Sequence, residues 1–181
     1  MHDPDWEADL RRYGPKALRR EQAAWAVRVY RYGRWADRLP AGWPRRVHQA
    51  LYWPLFRLVE TVTGISLPKT VQIGPGLRIW HFGGIFVHRD VRIGANCTMR
   101  QGVTLGNRRA DDDVPVLGDD VELGAYAQVL GRIRIGHGAR IGAMSVVLSD
   151  VPDGATAIGN PARIVMPRSA DAPPQDVAVE G

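Results

Sequence analysis

The chain has 181 residues, 45% of them hydrophobic and 24% charged, with a formal net charge of +5. That length supports one compact core with an accessory element, and no run approaches the roughly 20 apolar residues that a membrane-crossing helix needs. Residues 1–66 hold 12 Lys/Arg against 7 Asp/Glu and ten of the 14 aromatics, whereas residues 67–181 hold 12 against 12, so the charge belongs to the first third.

The N-terminus reads MHDPDWEADLRRYG. Its acidic residues and lack of an apolar run argue against a secretory signal. The single cysteine, Cys97, cannot form an internal disulfide and fits a reducing cytoplasm. The basic, aromatic segment reads either as a solvated helical surface or as a peripheral contact with an anionic membrane surface or acidic glycan. No nucleic-acid-binding motif accompanies the charge.

Asp5 is expected to cap a short first helix. Lys16 to about Tyr32 carries Leu18, Ala23, Trp25 and Tyr30 among arginines, which predicts an amphipathic helix. Gly33 and then Leu39-Pro40-Ala41-Gly42 interrupt it. Arg45 to about Val62 predicts a second helix, because Val47, Leu51, Leu55, Leu58 and Val62 recur at three- or four-residue steps. Pro54 inside that run predicts a kink or a split, and Gly64 a C-terminal stop.

The remainder follows a different period. Stepping by six from Ile93 meets Met99, Leu105, Asp111, Leu117, Leu123, Val129, Ile135, Ile141 and Val147. Gly follows directly at positions 94, 106, 118, 124, 136 and 142, and a small or apolar residue precedes most of them by two, as at Val91, Cys97, Val103, Val121, Ala127 and Ile133. A period of six is neither helical nor a simple alternation. It suits short strands joined by tight corners and wound as a triangular coil, three units or 18 residues per turn, with one aliphatic per unit pointing inward. Ordinary sandwich strands do not hold that phase over so many residues.

Two places break the phase. Ile73-Gly74 is an earlier copy lying 20 residues before Ile93 rather than 18, so two extra residues fall around Trp80-His81-Phe82-Gly83-Gly84. The second break is Asp111, within the polar stretch Asn107-Arg-Arg-Ala-Asp-Asp-Asp-Val-Pro115, which reads as a loop leaving the coil. Departures from a repeat are where function is added.

In five runs the chain resembles the serine acetyltransferase branch of the hexapeptide-repeat acyltransferases. They are Leu77-Arg-Ile-Trp-His-Phe-Gly-Gly-Ile85, Met99-Arg-Gln-Gly-Val-Thr-Leu-Gly106, Val121-Glu-Leu-Gly-Ala-Tyr-Ala-Gln-Val-Leu-Gly131, Ile141-Gly-Ala-Met-Ser-Val-Val147 and Ile158-Gly-Asn-Pro-Ala-Arg-Ile-Val165. The resemblance implies a mainly β fold: a left-handed parallel β-helix over 67–166, after a helical segment over 1–66; the tail over 167–181, rich in Ala, Asp and Pro, is expected to be disordered on composition. It also implies direct transfer of an acetyl group from acetyl-CoA to an acceptor hydroxyl, with no metal. His81 falls on the position of the family's general base, a task that suits imidazole near neutral pH. His88 is the second candidate, and His137 sits on an ordinary corner.

By the same resemblance, the small residues Ala125 and Ala143 would let the pantetheine arm lie along the corners. Arg163 would stand near the distal phosphates, with Arg140 assisting. The family works as trimers with active sites between neighbouring β-helices. The chain departs from the branch at the acceptor end. Ser66 and Trp80 stand where acidic residues are expected, and Asp113 and Val114 stand where an Arg-His pair holds the amino acid. Asp111, Asp112 and Asp113 would repel a carboxylate and accept hydrogen bonds from sugar hydroxyls. A sugar or polysaccharide hydroxyl is therefore the expected acceptor. The alternatives are a serine O-acetyltransferase with an altered site and a β-helix scaffold without catalysis.

Overall fold

A computed structural model describes residues 3–166, so the expected tail over 167–181 lies outside the described residues. Four helices come first: α1 (Pro4–Tyr13), α2 (Ala17–Arg20), α3 (Gln22–Arg38) and α4 (Trp43–Thr63). Fifteen short strands follow, wound as a parallel β-helix with three faces. Face 1 stacks β1 (Ile65–Ser66), β4 (Ile85–Val87), β7 (Thr104–Gly106), β10 (Gln128–Leu130) and β13 (Val146–Val147). Face 2 stacks β2 (Gln72–Ile73), β5 (Arg92–Ile93), β8 (Val116–Leu117) and β11 (Arg134–Ile135). Face 3 stacks β3 (Arg78–Trp80), β6 (Thr98–Arg100), β9 (Glu122–Leu123), β12 (Arg140–Ile141) and β14 (Thr156–Gly159), and closes on an antiparallel β15 (Ala162–Val165).

Strands of two or three residues cannot persist alone, so the stacking holds them. Every aliphatic of the six-residue series stacks on its counterpart one coil away. On face 2 the column is Ile73, Ile93, Leu117 and Ile135; on face 3 it is Ile79, Met99, Leu123 and Ile141. All of these are buried, as are Val91, Cys97, Val103, Val121, Ala127 and Ile133 two residues ahead of their repeat positions. Each buried aliphatic contributes about 1.5–3 kcal/mol, and the prism has no other core. At the corner from face 2 to face 3 the chain turns through left-handed backbone at Asn96 and Asp120, both at φ 57°. Asn and Asp tolerate that region better than other non-glycine residues.

The helices cap the open end of the first coil. A parallel stack leaves one row of backbone N–H groups without a preceding coil, and buried donors need partners. Here the helices provide acceptors. Tyr52 Oη accepts from Lys69 N at 2.8 Å, Tyr30 Oη from Ile73 N at 3.1 Å, Asp9 Oδ1 from Gly76 N and Leu77 N at 2.8 Å each, and Tyr13 Oη from Ile79 N at 2.9 Å.

The helical expectations need three corrections. The N-cap of α1 is Asp3, whose carboxylate accepts from Asp5 N, rather than Asp5 itself. The amphipathic helix expected from Lys16 is broken at Glu21, which adopts extended backbone between α2 and α3. Gly33 does not stop α3 but lies inside it, where a Cβ would come within 2.5 Å of the Tyr52 ring, so this glycine allows α3 and α4 to approach closely. Helix α4 runs unbroken through Pro54, which lies on its exposed side, where the carbonyl left unbonded can face water. The periodic stripe Val47, Leu51, Leu55, Leu58 and Val62 is also exposed, whereas Tyr52, Phe56 and Thr63 face the interior. Gly64 ends α4 in left-handed backbone at φ 64°, as expected.

Candidate active site

The two-residue phase break lies at the edge between faces 3 and 1. Trp80 pairs with Arg100 and Phe86 with Thr104, so the first coil uses six steps to turn this corner where the second uses four. The surplus is the turn carrying His81 and Phe82. His81 holds left-handed backbone at φ 66°, followed by Gly83 at 99° and Gly84 at 67°. The same left-handed conformation recurs at other corners of the prism, and His tolerates it better than most non-glycine residues. The His81 side chain is exposed, and among the described residues it makes no hydrogen bond or ion pair.

Trp80 and Phe82, 44% and 48% exposed, flank it. The Arg78 guanidinium is clamped between the Trp80 ring at 3.9 Å and the Tyr13 ring at 4.1 Å, and its Nη1 lies 2.6 Å from Glu21 Oε2. A cavity of about 320 Å³ opens between residues 20–23 on one side and Trp80, His81 and Phe82 on the other. A larger groove of about 460 Å³ runs along face 2 past Gly118, Asp119 and His137. Its polar groups satisfy one another: Asp119 N donates to His137 Nδ1 at 3.0 Å and His137 N to Asp153 Oδ1 at 2.8 Å. The smaller cavity contains the imidazole without a partner, which makes it the candidate site.

The edge that bears His81 continues down the β-helix. Gly102 N donates to Gly83 O, Tyr126 N to Gln101 O and Met144 N to Ala125 O, at 3.0, 2.9 and 2.8 Å. Ala125 and Ala143 therefore stand in one column with the His81 turn. Tyr126 and Met144, exposed and left-handed at φ 59° and 61°, occupy the same column and were missed. Their signal was available, since each follows one of the alanines. Arg163 is exposed on β15, opposite Ile158 at the far end of face 3. Arg140 lies on the same face, its Nε 3.7 Å from Glu122 Oε2.

The remaining candidates lie elsewhere. His88 caps its own turn at the edge between faces 1 and 2, with Nδ1 accepting from Asp90 N at 3.3 Å. Ser66 pairs with Phe86 on face 1, and Trp80 lies over Arg78, so neither gives His81 an acid. The loop with Asp111, Asp112 and Asp113 leaves the edge between faces 1 and 2, across face 1 from His81. Two of its carboxylates are committed internally. Asp112 Oδ2 pairs with Arg132 Nη2 at 2.6 Å, and Asp113 accepts from the backbone of Arg109 and of Arg132. The negative charge expected to repel a carboxylate there is thus partly offset by Arg132 of the next coil, in a pair that stays exposed. Among the described residues no three His, Cys, Asp or Glu side chains are grouped to hold a metal ion.

Glu21 and Arg20, which line the cavity beside His81, were not identified in the sequence. Sixty residues of chain separate them from His81, and neither belongs to a repeat or motif.

Comparison with known proteins is consistent with this architecture. Residues 115–149 match the family model described as "Bacterial transferase hexapeptide (six repeats)". The serine acetyltransferase of Bacillus subtilis is 40% identical over 138 residues, covering 71% of this chain and 64% of that protein. The chain thus spans less than two thirds of that relative. A soybean serine acetyltransferase solved in complex with serine superposes with a TM-score of 0.76 at 33% identity, over 90% of this chain and 70% of that one. A serine acetyltransferase solved in complex with CoA superposes with a TM-score of 0.76 at 29% identity, over 90% and 68%.

Proposed function

The chain belongs to the serine acetyltransferase-like branch of the hexapeptide-repeat acyltransferases, and from that premise we propose that it transfers an acetyl group from acetyl-CoA to an acceptor hydroxyl, with His81 as general base. The observation that carries the proposal is the unpartnered imidazole of His81, held at a left-handed turn in a cavity at the head of the column of Ala125 and Ala143. In the reaction, Nε2 or Nδ1 of His81 takes the acceptor proton while the hydroxyl oxygen attacks the thioester carbonyl. The carbon–sulfur bond then breaks, and the CoA thiolate leaves and is protonated. Ala125 and Ala143 allow the donor's thin arm to lie close to the backbone, with Arg163 and Arg140 offering charge to its phosphates.

The acceptor we propose is L-serine. Relatives and structural neighbours named serine acetyltransferases support it, and one of those neighbours was solved in complex with serine. The chief objection to serine was repulsion by the loop at Asp111–Asp113, and two of those three carboxylates are tied up by Arg132 and by backbone donors. One observation favours a sugar hydroxyl as the second reading: the exposed rings of Trp80 and Phe82 on either side of His81 offer apolar faces for a sugar ring. CoA release with L-serine and with a panel of simple glycosides separates the two. Saturation with glycosides but not with serine would reverse the order. Absence of turnover with any acceptor, together with absence of CoA binding, would favour a non-catalytic scaffold.

A homotrimer accompanies this proposal. The outward column of face 1, Ser66, Phe86, Thr104, Gln128 and Val146, carries no charge, whereas faces 2 and 3 expose Arg92, Arg134, Glu122 and Arg140. Face 1 is therefore suited to burial against a neighbouring chain, which in a three-fold ring meets it with a different surface, and its two edges bear His81 and the Asp111–Asp113 loop. No helix among the described residues is long and apolar enough to cross a membrane. The exposed stripe of α4, with Trp43 76% exposed and with Arg46 and Arg57 beside it, supports peripheral contact with an anionic membrane surface. Co-sedimentation with anionic vesicles that falls as salt is added tests that contact.

A further inference from the structure

We infer that Glu21 is an acceptor-binding residue of the His81 cavity, holding a hydrogen-bond donor of the acceptor next to the hydroxyl that His81 deprotonates. The inference rests on the proposal that His81 is the base.

The two acidic positions expected next to the base are Ser66 and Trp80, so the β-helix itself brings no carboxylate to this cavity. The helical segment brings one. Glu21 lies in the extended break between α2 and α3, on the wall facing Trp80, His81 and Phe82. Its Oε2 is fixed by Arg78 Nη1 at 2.6 Å. Arg78 is itself immobilised, only 3% exposed and stacked between the rings of Tyr13 and Trp80. The carboxylate is therefore ion-paired with an immobilised guanidinium, while 30% of its side chain remains accessible and Oε1 has no hydrogen-bond partner among the described residues.

A buried guanidinium would be neutralised equally well by a carboxylate that faced away from the cavity. This one instead lines the cavity that His81 also lines. An accessible, pre-oriented anion beside a general base selects acceptors that carry a donor next to the reactive hydroxyl. The ammonium of serine and a neighbouring hydroxyl of a sugar share that chemistry.

Steady-state CoA release by Glu21→Gln and Glu21→Ala tests the inference, with L-serine and a methyl glycoside as acceptors and thermal unfolding measured alongside. Glu21→Gln keeps the shape and an oxygen that can accept from Arg78, so it disturbs the fold less than Glu21→Ala. A hydrogen bond to a charged group implies a rise in serine KM of about 10- to 100-fold for Glu21→Gln, with kcat and the acetyl-CoA KM within about threefold of the parent. With the glycoside, Gln still accepts a hydrogen bond, so the rise appears in Glu21→Ala instead. A purely structural Glu21 would lower the unfolding temperature and leave both acceptor KM values unchanged, which overturns the inference. If His81→Ala is inactive while acceptor KM is unchanged in both Glu21 variants, only the role of Glu21 falls. Full activity of His81→Ala removes the proposal on which it rests.

Discussion

Arg31 grips Asp9 with two nitrogens, Nε to Oδ2 at 2.7 Å and Nη2 to Oδ1 at 3.1 Å, and both side chains are buried. The same Asp9 accepts from Gly76 N and Leu77 N, and the same Arg31 donates to Ile73 O and Gly74 O. One ion pair thus joins α1, α3 and the first coil of the β-helix. Arg31 can donate to five acceptors and finds them only here, so the pair is satisfied despite its burial.

Removing half of that pair leaves a buried charge. Asp9→Ala is expected to cost about 3–5 kcal/mol, because it strands the Arg31 guanidinium and two backbone donors together. Urea denaturation of the variant measures it. A loss below about 1 kcal/mol would mean that water or another carboxylate replaces Asp9.

Gly33 sets the separation of α3 and α4. A Cβ at that position would lie 2.5 Å from the Tyr52 ring and 2.9 Å from Lys69 Cβ. Gly33→Ala is expected to destabilise the chain by about 1–3 kcal/mol, despite the higher helix propensity of Ala. In a Tyr52→Leu background, which removes the ring edge that the new Cβ meets, the same substitution should cost less in thermal unfolding. Stabilisation by Gly33→Ala alone would show that the helices can separate without penalty.

Cys97 is fully buried between coils, and burial pushes its thiol up to about 11. A thiol with that value is only about one part in a thousand thiolate at pH 8, and the thiolate is the reactive form. Titration with a thiol reagent at pH 8 should show no reaction in the native protein and one equivalent in denaturant. Reactivity should rise as pH approaches 11, if the fold survives. Rapid native labelling at pH 8 would contradict the packing of the second coil.

Large side chains on the His81 edge should obstruct the acyl donor. Ala125→Trp or Ala143→Phe is expected to raise the acetyl-CoA KM at least about tenfold while leaving the acceptor KM near the parent value, since both alanines stand in the corner column below His81. An unchanged acetyl-CoA KM in both variants would place the donor elsewhere.

The β-helix was legible because its signal is strictly periodic. Each unit must bury one residue such as Ile93, Leu117 or Ile135 on the column below it, so the pattern repeats wherever the coil does. The break at His81 was legible for the same reason, since two extra residues displace every later aliphatic. The helices were harder. Val47, Leu51, Leu58 and Val62 recur with helical spacing, yet the face that packs inward is Tyr52 and Phe56, because the close approach at Gly33 selects large rings rather than the aliphatic stripe. The carboxylate of Glu21 was invisible: its place beside His81 depends on how α2 and α3 dock on the first coil, which no local pattern encodes. The partner of Asp112 was not legible either, because its pairing with Arg132 spans 20 residues and one corner of the prism.

The central claim is that His81 accepts the proton of the attacking hydroxyl. The rate of CoA release at saturating acetyl-CoA, compared between the parent chain and His81→Ala, tests it most directly. Loss of a general base predicts a fall in kcat of about 100-fold or more, with acetyl-CoA binding and the unfolding temperature unchanged. Near-full turnover by His81→Ala would contradict the account.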